Sequence, residues 1–141
     1  MAITQAICSS FKAELLGGGH DLDTSGDTIK IALYTSSASL SSSTTAYSAT
    51  NEASGTGYSA GGNTLAGQVV ATSGTVSYVD FTDSTWASSS ITARGALIYN
   101  STASDAAIAV LDFGADKTSS STDFTVVFPS ADSTSAIIRL S

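Results

Sequence analysis

Residues 91–99 read I-T-A-R-G-A-L-I-Y and hold the clearest strand pattern in the chain. Alternate positions of a β-strand share one face, so the neighbours Leu97 and Ile98 place apolar side chains on both faces. A strand that is apolar on both faces belongs in the middle of a packed sheet. We therefore expect residues 91–99 to form a central strand of the fold.

Two residues within this strand need a special environment. Either Arg94 reaches solvent at the rim of the sheet, or it is partly buried beside an acid. The acids near predicted strand ends that could pair with it are Asp80, Asp83 and Asp112. Gly95 indicates a bulge or a close approach of another part of the chain, which alanine would disturb.

Further strand patterns surround this one at 28–35, 68–71, 76–81, 106–113, 124–128 and 136–140. Short strands separated by turns predict a mainly β fold, a single β-sandwich of the jelly-roll or immunoglobulin-like kind. A chain of 141 residues suits one domain, 1–141, with the sandwich over 28–141. Residues 36–62 exceed the usual loop length, so this excursion either holds its own local structure or contacts a partner.

One short N-terminal helix is predicted over residues 3–16, because large apolar residues recur every four positions before Gly17 ends the pattern. Its apolar stripe must pack on the domain's own sheet or on a neighbouring subunit. The stripe supplies four interface candidates, and three aromatic residues predicted to lie in loops supply the others. The seven interface candidates are Ile3, Ile7, Phe11, Leu15, Tyr47, Tyr58 and Trp86.

The composition argues against several classes of partner. Charged residues make up 12% of the chain, the net charge is −7 and the five basic residues are scattered, so we expect no nucleic-acid binding. No apolar run is long enough to span a bilayer, and the N-terminus lacks the pattern of a secretory signal. We therefore expect no association with a membrane. We also expect the chain to be made as a soluble cytoplasmic product.

Residues that could carry enzyme chemistry have simpler interpretations. His20 follows three glycines at the predicted helix end, where a cation would interact favourably with the helix dipole, and spacing ties no nucleophile to it. Asp80 and Asp83 flank a predicted strand end, and Asp112 and Asp116 flank a predicted turn, where aspartate commonly caps nearby amides. We expect no catalytic residue and no cofactor. With one Cys and one His, a zinc site of the Cys/His type cannot be built within one chain.

Residues 21–26, D-L-D-T-S-G, imitate the first half of a calcium-binding loop. Ala32 stands where the last acidic ligand of such a loop is needed, and a predicted strand follows instead of a helix. We therefore expect no metal site. The alternative is a weak calcium site built from Asp21, Asp23 and Asp27.

Three stretches resemble a family of small virion structural proteins of tailed bacteriophages. They are A-I-T-Q-A-I-C-S-S-F-K-A-E-L-L-G-G at 2–18, the region 34–65 with A-Y-S-A-T-N-E-A-S-G-T-G-Y-S-A-G-G-N-T-L, and T-A-R-G-A-L-I-Y-N at 92–100 followed by A-V-L-D-F-G at 109–114. The shared features are structural segments. The resemblance therefore implies a non-enzymatic virion component, assembled in the bacterial host cytoplasm.

Two functions fit that resemblance. The first is a capsid decoration (cement) protein that bridges capsomers, contacts the major capsid protein and other virion proteins, and forms a homo-oligomer such as a trimer. The second is a tail or fibre adhesion module that binds a host-surface glycan or protein. The number of copies in each virion distinguishes them.

Overall fold

The computed structural model of the protein describes residues 2–140. Over these residues the chain is mainly β, with a β-sandwich-like fold and one short helix near the N-terminus, which confirms the predicted fold class. In chain order the elements are β1 (Ala6–Ile7), α1 (Ser9–Leu16), β2 (Ile29–Tyr34), β3 (Asn63–Thr64), β4 (Val69–Ser73), β5 (Val76–Asp80), β6 (Ser84–Ser89), β7 (Thr92–Asn100), β8 (Ala106–Thr118), β9 (Thr122–Val126) and β10 (Ile138–Leu140).

The central sheet has five antiparallel strands in the order β1-β8-β7-β2-β3. Strand β7 lies in its middle, where Leu97 pairs with Ala32 of β2 on one side and with Val110 of β8 on the other. Leu97 and Ile98 are both fully buried, because each face of β7 is covered. The prediction of a central strand at 91–99 is confirmed.

Two smaller sheets complete the fold. One has the order β10-β5-β4, and the other is the pair β6-β9. Their buried side chains join those of β7 and β8 in one connected hydrophobic cluster, to which Phe81, Trp86, Phe124 and Ile138 contribute. Burial of such side chains is the main favourable contribution to folding.

The predicted helix at 3–16 is too long. Helix α1 begins at Ser9, whereas Ala6 and Ile7 form β1 and pair with Val110 and Ala109 of β8. Ile3 forms an isolated bridge further upstream. Positions four apart share a face in a helix and also in a strand, so the spacing of Ile3 and Ile7 does not distinguish the two. Within residues 2–140, no helix has the length and apolar character that crossing a membrane would require.

Strand β6 has no counterpart among the predicted strands. Its buried positions are Ser84, Trp86 and Ser89, so two of its three inward side chains are small and polar. The hydroxyl of Ser89 is satisfied inside the protein by the hydroxyl of Ser119 at 2.8 Å. A strand that buries serine gives no apolar alternation to recognise. Among the predicted strands, β8 continues to Thr118 and β10 begins at Ile138, unlike the predicted bounds of 113 and 136.

Arg94 has the second of its two expected environments. Its Nε atom lies 3.3 Å from Oδ1 of Asp112 across the β7–β8 pair, and the two side chains are 36% and 28% exposed. Solvent screens an ion pair at this exposure, so we expect it to contribute about 1 kcal/mol at most. The other two candidates, Asp80 and Asp83, precede β6 in the sequence. Neither of them pairs with Arg94.

Candidate functional site

The four N-terminal interface candidates pack against the core of their own chain, two of them buried and two partly buried. Phe11 is 1% exposed, and its ring centroid lies 5.0 Å from that of His20. Ile3 is also buried, and Ile7 and Leu15 are partly buried against the same core. Of the two alternatives for the apolar stripe, packing on the domain's own sheet is therefore the one observed, with α1 lying against β8.

The three aromatic candidates attach the excursion, residues 36–62, to the sheets. The ring of Tyr47 stacks on Tyr99 of β7 at a centroid distance of 4.8 Å, and Tyr58 stacks on Trp86 of β6 at 5.9 Å. Trp86 is 3% exposed and lies within a strand, so its predicted place in a loop is wrong. The cause is the missed strand β6, which points this ring into the core.

The carboxylate of Glu52 collects the hydrogen bonds that fix the excursion. Its Oε1 atom accepts a bond from the Tyr47 hydroxyl at 2.6 Å, and its Oε2 atom accepts one from the Tyr58 hydroxyl at 2.6 Å. The backbone N–H of Gly61 donates to the same Oε2 at 2.8 Å. The Tyr58 hydroxyl in turn accepts from the N–H of Leu33 in β2 at 2.9 Å. One side chain therefore joins three points of the excursion to one another, and the Tyr58 hydroxyl connects them to β2.

The tyrosines around Glu52 are held in their protonated form. Burial, and then the hydrogen bond to the Glu52 carboxylate, raises the pKa of Tyr47 and of Tyr58, since both effects disfavour a phenolate. Burial also raises the pKa of Tyr34, and it raises the pKa of Tyr99 to about 12. All four hydroxyls can therefore act as hydrogen-bond donors near neutral pH.

The outer surface of the excursion is uncharged. Glu52 is the single charged residue between 36 and 62, and its carboxylate is bound by the three donors described above. Most of the exposed positions are Ser, Thr, Ala and Gly. A shallow cavity of about 400 Å³ on this surface is lined largely by Ser and Thr between 39 and 50. We call the exposed residues of 36–62 the excursion face.

A second polar network lies beneath the start of β2. The Oδ1 atom of Asn100 accepts from the N–H groups of Thr102 and Ala103 at 3.0 and 3.1 Å. Its Nδ2 atom must then donate, and it lies 2.9 Å from Nδ1 of His20 and 2.7 Å from Oδ2 of Asp27. Because Nδ1 accepts, the ring proton of His20 is on Nε2.

The Nε2 atom of His20 lies 3.1 Å from Oε1 of Glu14, to which it donates. His20 therefore connects α1 with Asn100 at the end of β7. The ring fills a buried position and is 8% exposed. It lies beside the helix end, as its position in the sequence predicts, and its two ring nitrogens contact Glu14 and Asn100.

The acids of residues 21–27 stabilise the loop that they belong to. Oδ1 of Asp21 accepts from the N–H of Asp23 at 3.1 Å, and Oδ2 of Asp27 accepts from the N–H of Asp21 at 2.9 Å. The carboxylate of Asp23 accepts from the N–H of Thr24. Such bonds are typical of turns built by aspartate. Within residues 2–140, no group of three or more His, Cys, Asp or Glu side chains is placed to hold a metal ion.

Two of the remaining acids cap backbone N–H groups, although Asp112 and Asp116 lie within β8 and not on either side of a turn. Asp83 accepts a hydrogen bond from the N–H of Phe128 at 2.8 Å, and Asp112 accepts one from the N–H of Gly114 at 2.9 Å. Burial raises the pKa of Asp80, and the negative charge of Asp83 adds to the effect. The side chain of Asp116 is exposed.

Asp27 should make the stability of the protein depend on pH in the acid range. The N–H of Asp21, and then the amide of Asn100, lowers the pKa of Asp27 in the folded state. A lowered folded-state pKa stabilises the protein above the unfolded-state pKa, and this contribution is lost as pH falls through the folded-state value. We expect thermal melts of the parent to lose this contribution as pH falls below about 4, the ordinary pKa of aspartate.

Asp27→Asn should reduce this loss, and Asp116→Asn, which removes an exposed acid, is the matched control. The comparison uses melting temperatures of the three proteins across the same pH range. Equal slopes for Asp27→Asn and the parent would show that the Asp27 carboxylate does not carry the effect.

Glu52 and Asn100 are the two polar centres that the sequence did not reveal. Asn100 acts through His20 and Asp27, which are distant in the chain. The partners of Glu52 lie within ten residues of it, but a charged side chain in a Ser- and Gly-rich setting is usually solvated. One indirect indication existed for Asn100. The strand predicted at 91–99 ends directly before it, which places its amide next to a buried strand.

No protein-family model, no curated protein and no solved structure matches this chain.

Proposed function

We propose that this chain is a non-enzymatic structural protein of a tailed-bacteriophage virion, a capsid decoration protein that stabilises the head by bridging capsomers. Its partner is the major capsid protein, and its location is the surface of the head. The observation that carries the proposal is the excursion face, a broad uncharged surface that one internal carboxylate holds in place.

A cement protein gains from a surface that is ordered before it binds. Ordering a flexible loop on binding consumes part of the interaction free energy, and a prefolded surface avoids this cost. Tyr47, Tyr58 and Gly61 are bonded to Glu52 within the free chain, so the excursion is already folded. Small Ser, Thr, Ala and Gly residues let another backbone approach closely and form direct or water-mediated hydrogen bonds.

The adhesion alternative has less support from the aromatic residues. Binding of a glycan commonly uses aromatic rings that offer a free face. The rings of Tyr47, Tyr58 and Trp86 instead stack on one another or on Tyr99 within the chain. These three residues stabilise the fold, which leaves the small polar residues of the excursion to make contacts.

The first test is the copy number in purified virions of the phage that encodes the chain, measured by quantitative mass spectrometry. Copies in the hundreds, in a fixed ratio to the major capsid protein, would support decoration. A few to a dozen or so copies would favour the tail or fibre alternative. Absence from the particle would overturn a virion role altogether.

The second test places charge on the excursion face. Ala49 and Ala60 are exposed there, and Ala115 is an exposed alanine of β8 outside it. We expect Ala49→Glu and Ala60→Glu to weaken binding to undecorated heads by about tenfold or more, since an unpaired buried charge is costly. Ala115→Glu is the matched control and should bind like the parent. Equal binding by all four proteins would exclude the excursion face as the contact.

A further inference from the structure

Three exposed apolar side chains lie between α1 and the sheet β10-β5-β4, outside the excursion of residues 36–62. Leu16 at the end of α1 is 88% exposed, Leu140 of β10 is 55% exposed and Val70 of β4 is 43% exposed. All three line two cavities between α1 and the sheet β10-β5-β4. Contiguous apolar surface of this kind usually marks an interaction site.

The two cavities form one groove. The first has a volume of about 190 Å³ and the second about 350 Å³, and Leu15, Ile138 and Leu140 line both. These shared residues lie in the middle, while Leu16 belongs to the first cavity and Val70 to the second. We call this surface the α1–β10 groove. β10 is also an edge strand of its sheet, so within the described residues β5 is its one strand neighbour.

The two ends of the α1–β10 groove carry opposite charges. Lys12 and Arg139 line the first cavity, and they are two of the five basic residues in a chain of net charge −7. Asp21 and Asp23 line the second cavity. Hydrogen bonds to backbone N–H groups keep both carboxylates in fixed positions. An apolar centre between a basic end and an acidic end is complementary to a copy of itself turned through a two-fold axis.

We infer that the α1–β10 groove binds a second copy of the chain in an isologous dimer. The two-fold axis passes near Leu15 and Leu140, and Lys12 and Arg139 of each protomer face Asp21 and Asp23 of its partner. A two-fold interface uses the same patch on both subunits, and this is the arrangement that opposite charges on one groove fit. A trimer would need two different surfaces, of which the groove is one.

The charges at the two ends of the α1–β10 groove favour a second copy of the chain over other partners. The chain is strongly acidic overall, so two copies repel each other unless the contact brings opposite charges together. The dimer forms two such contacts, one at each end of the groove. This inference does not depend on the proposed virion function, because dimerisation is a property of the isolated protein in solution.

The first experiment measures the mass of the purified protein by sedimentation equilibrium from about 1 µM to 1 mM. We expect the parent to pass from monomer to dimer within this range. Leu16→Asp places a carboxylate at an exposed position and should raise the dissociation constant about tenfold or more. Val127→Asp is the matched control, because Val127 is 71% exposed and lies outside the groove. Circular dichroism melts establish that both variants are folded.

The second experiment exchanges charges between protomers. Lys12→Glu alone places an acid opposite Asp23 of the partner, and Asp23→Lys alone places a base opposite Lys12, so each variant should dimerise less than the parent. In an equimolar mixture, both contacts of the mixed dimer again join opposite charges. We expect native mass spectrometry to show the mixed dimer in excess of the statistical half of all dimers.

Three results would overturn the inference. The parent could remain monomeric at the highest concentration, or it could form a trimer. It could also dimerise with an affinity that Leu16→Asp leaves unchanged while the mixture of charge variants shows no preference. None of these outcomes bears on the copy number in virions, so failure of the dimer and failure of the proposed function are distinguishable.

Discussion

Gly95→Ala should lower the free energy of unfolding by about 3 kcal/mol, at the upper end of the cost of adding one methyl group to a packed interior. A Cβ atom on Gly95 would lie 2.5 Å from the backbone oxygen of Leu111 and 2.9 Å from Cγ2 of Ile3. The oxygen of Leu111 belongs to β8, whose pairing with β7 prevents it from moving away. The pairing register also shifts between Ala93 and Gly95, as expected for the predicted bulge or close approach.

Two variants serve as controls in denaturant unfolding. A Cβ atom on Gly17 would meet its nearest neighbour at an ordinary 3.6 Å, so Gly17→Ala should lie within about 0.5 kcal/mol of the parent. Arg94→Ala removes a half-exposed partner of Asp112 and should cost about 1 kcal/mol at most. If Gly95→Ala and Gly17→Ala have the same free energy of unfolding, the contact between β7 and β8 is not as tight as the distance of 2.5 Å indicates.

Glu52→Ala should release the excursion and lower the free energy of unfolding by about 2 kcal/mol. The change leaves the hydroxyls of Tyr47 and Tyr58 and the N–H of Gly61 without their acceptor. Glu52→Gln keeps the shape but can no longer accept at both oxygens, so its cost should be about half as large. Limited proteolysis should cut residues 36–62 faster in both variants than in the parent.

Alkaline titration gives a second readout of the same site. In the parent, the raised pKa values of Tyr47 and Tyr58 mean that stability is fully present below the ordinary tyrosine pKa and is lost as pH rises above about 10. Glu52→Ala should move the titration of these two tyrosines, followed by ultraviolet absorbance, to lower pH. Tyr78→Phe lies outside the excursion and is the control. An unchanged titration and unchanged proteolysis in Glu52→Ala would contradict the role of Glu52.

The sequence was most informative where burial and alternation coincide. Leu97 and Ile98 require cover on both faces, and this requirement placed β7 at the centre of a sheet before any pairing was known. The same reasoning failed at β6, because Ser84 and Ser89 are buried through hydrogen bonds and not through apolar character. Ile3 and Ile7 are four positions apart, a spacing that fits a helix and a strand equally. In the structure Ala6 and Ile7 pair with β8 and form a strand.

The candidate sites were harder to predict than the fold. Tyr47, Tyr58 and Trp86 were predicted as interface residues, and the structure places their rings against other rings of the same chain. The excursion was recognised by its length, whereas Glu52, which holds it, is one acid among small polar residues. The α1–β10 groove depends on β10 meeting α1 across the whole length of the chain, and local sequence patterns carry no information about such a meeting.

The strand order of the central sheet also determines when the protein can fold during translation. Ala6 of β1 pairs with Val110 of β8, and Ile31 of β2 pairs with Ile98 of β7. Ribosomes add about 5–20 residues each second, so the apolar strand β2 waits for seconds before its partner is made. Folds dominated by such distant pairings also fold slowly once complete.

The nascent chain therefore carries β2 without a sheet until β7 and β8 have left the ribosome exit tunnel. Fragments that stop before β7 lack the centre of the sheet and should be degraded or aggregate. β7 is the strand on which the earlier and the later parts of the chain meet, since it pairs with β2 on one side and with β8 on the other.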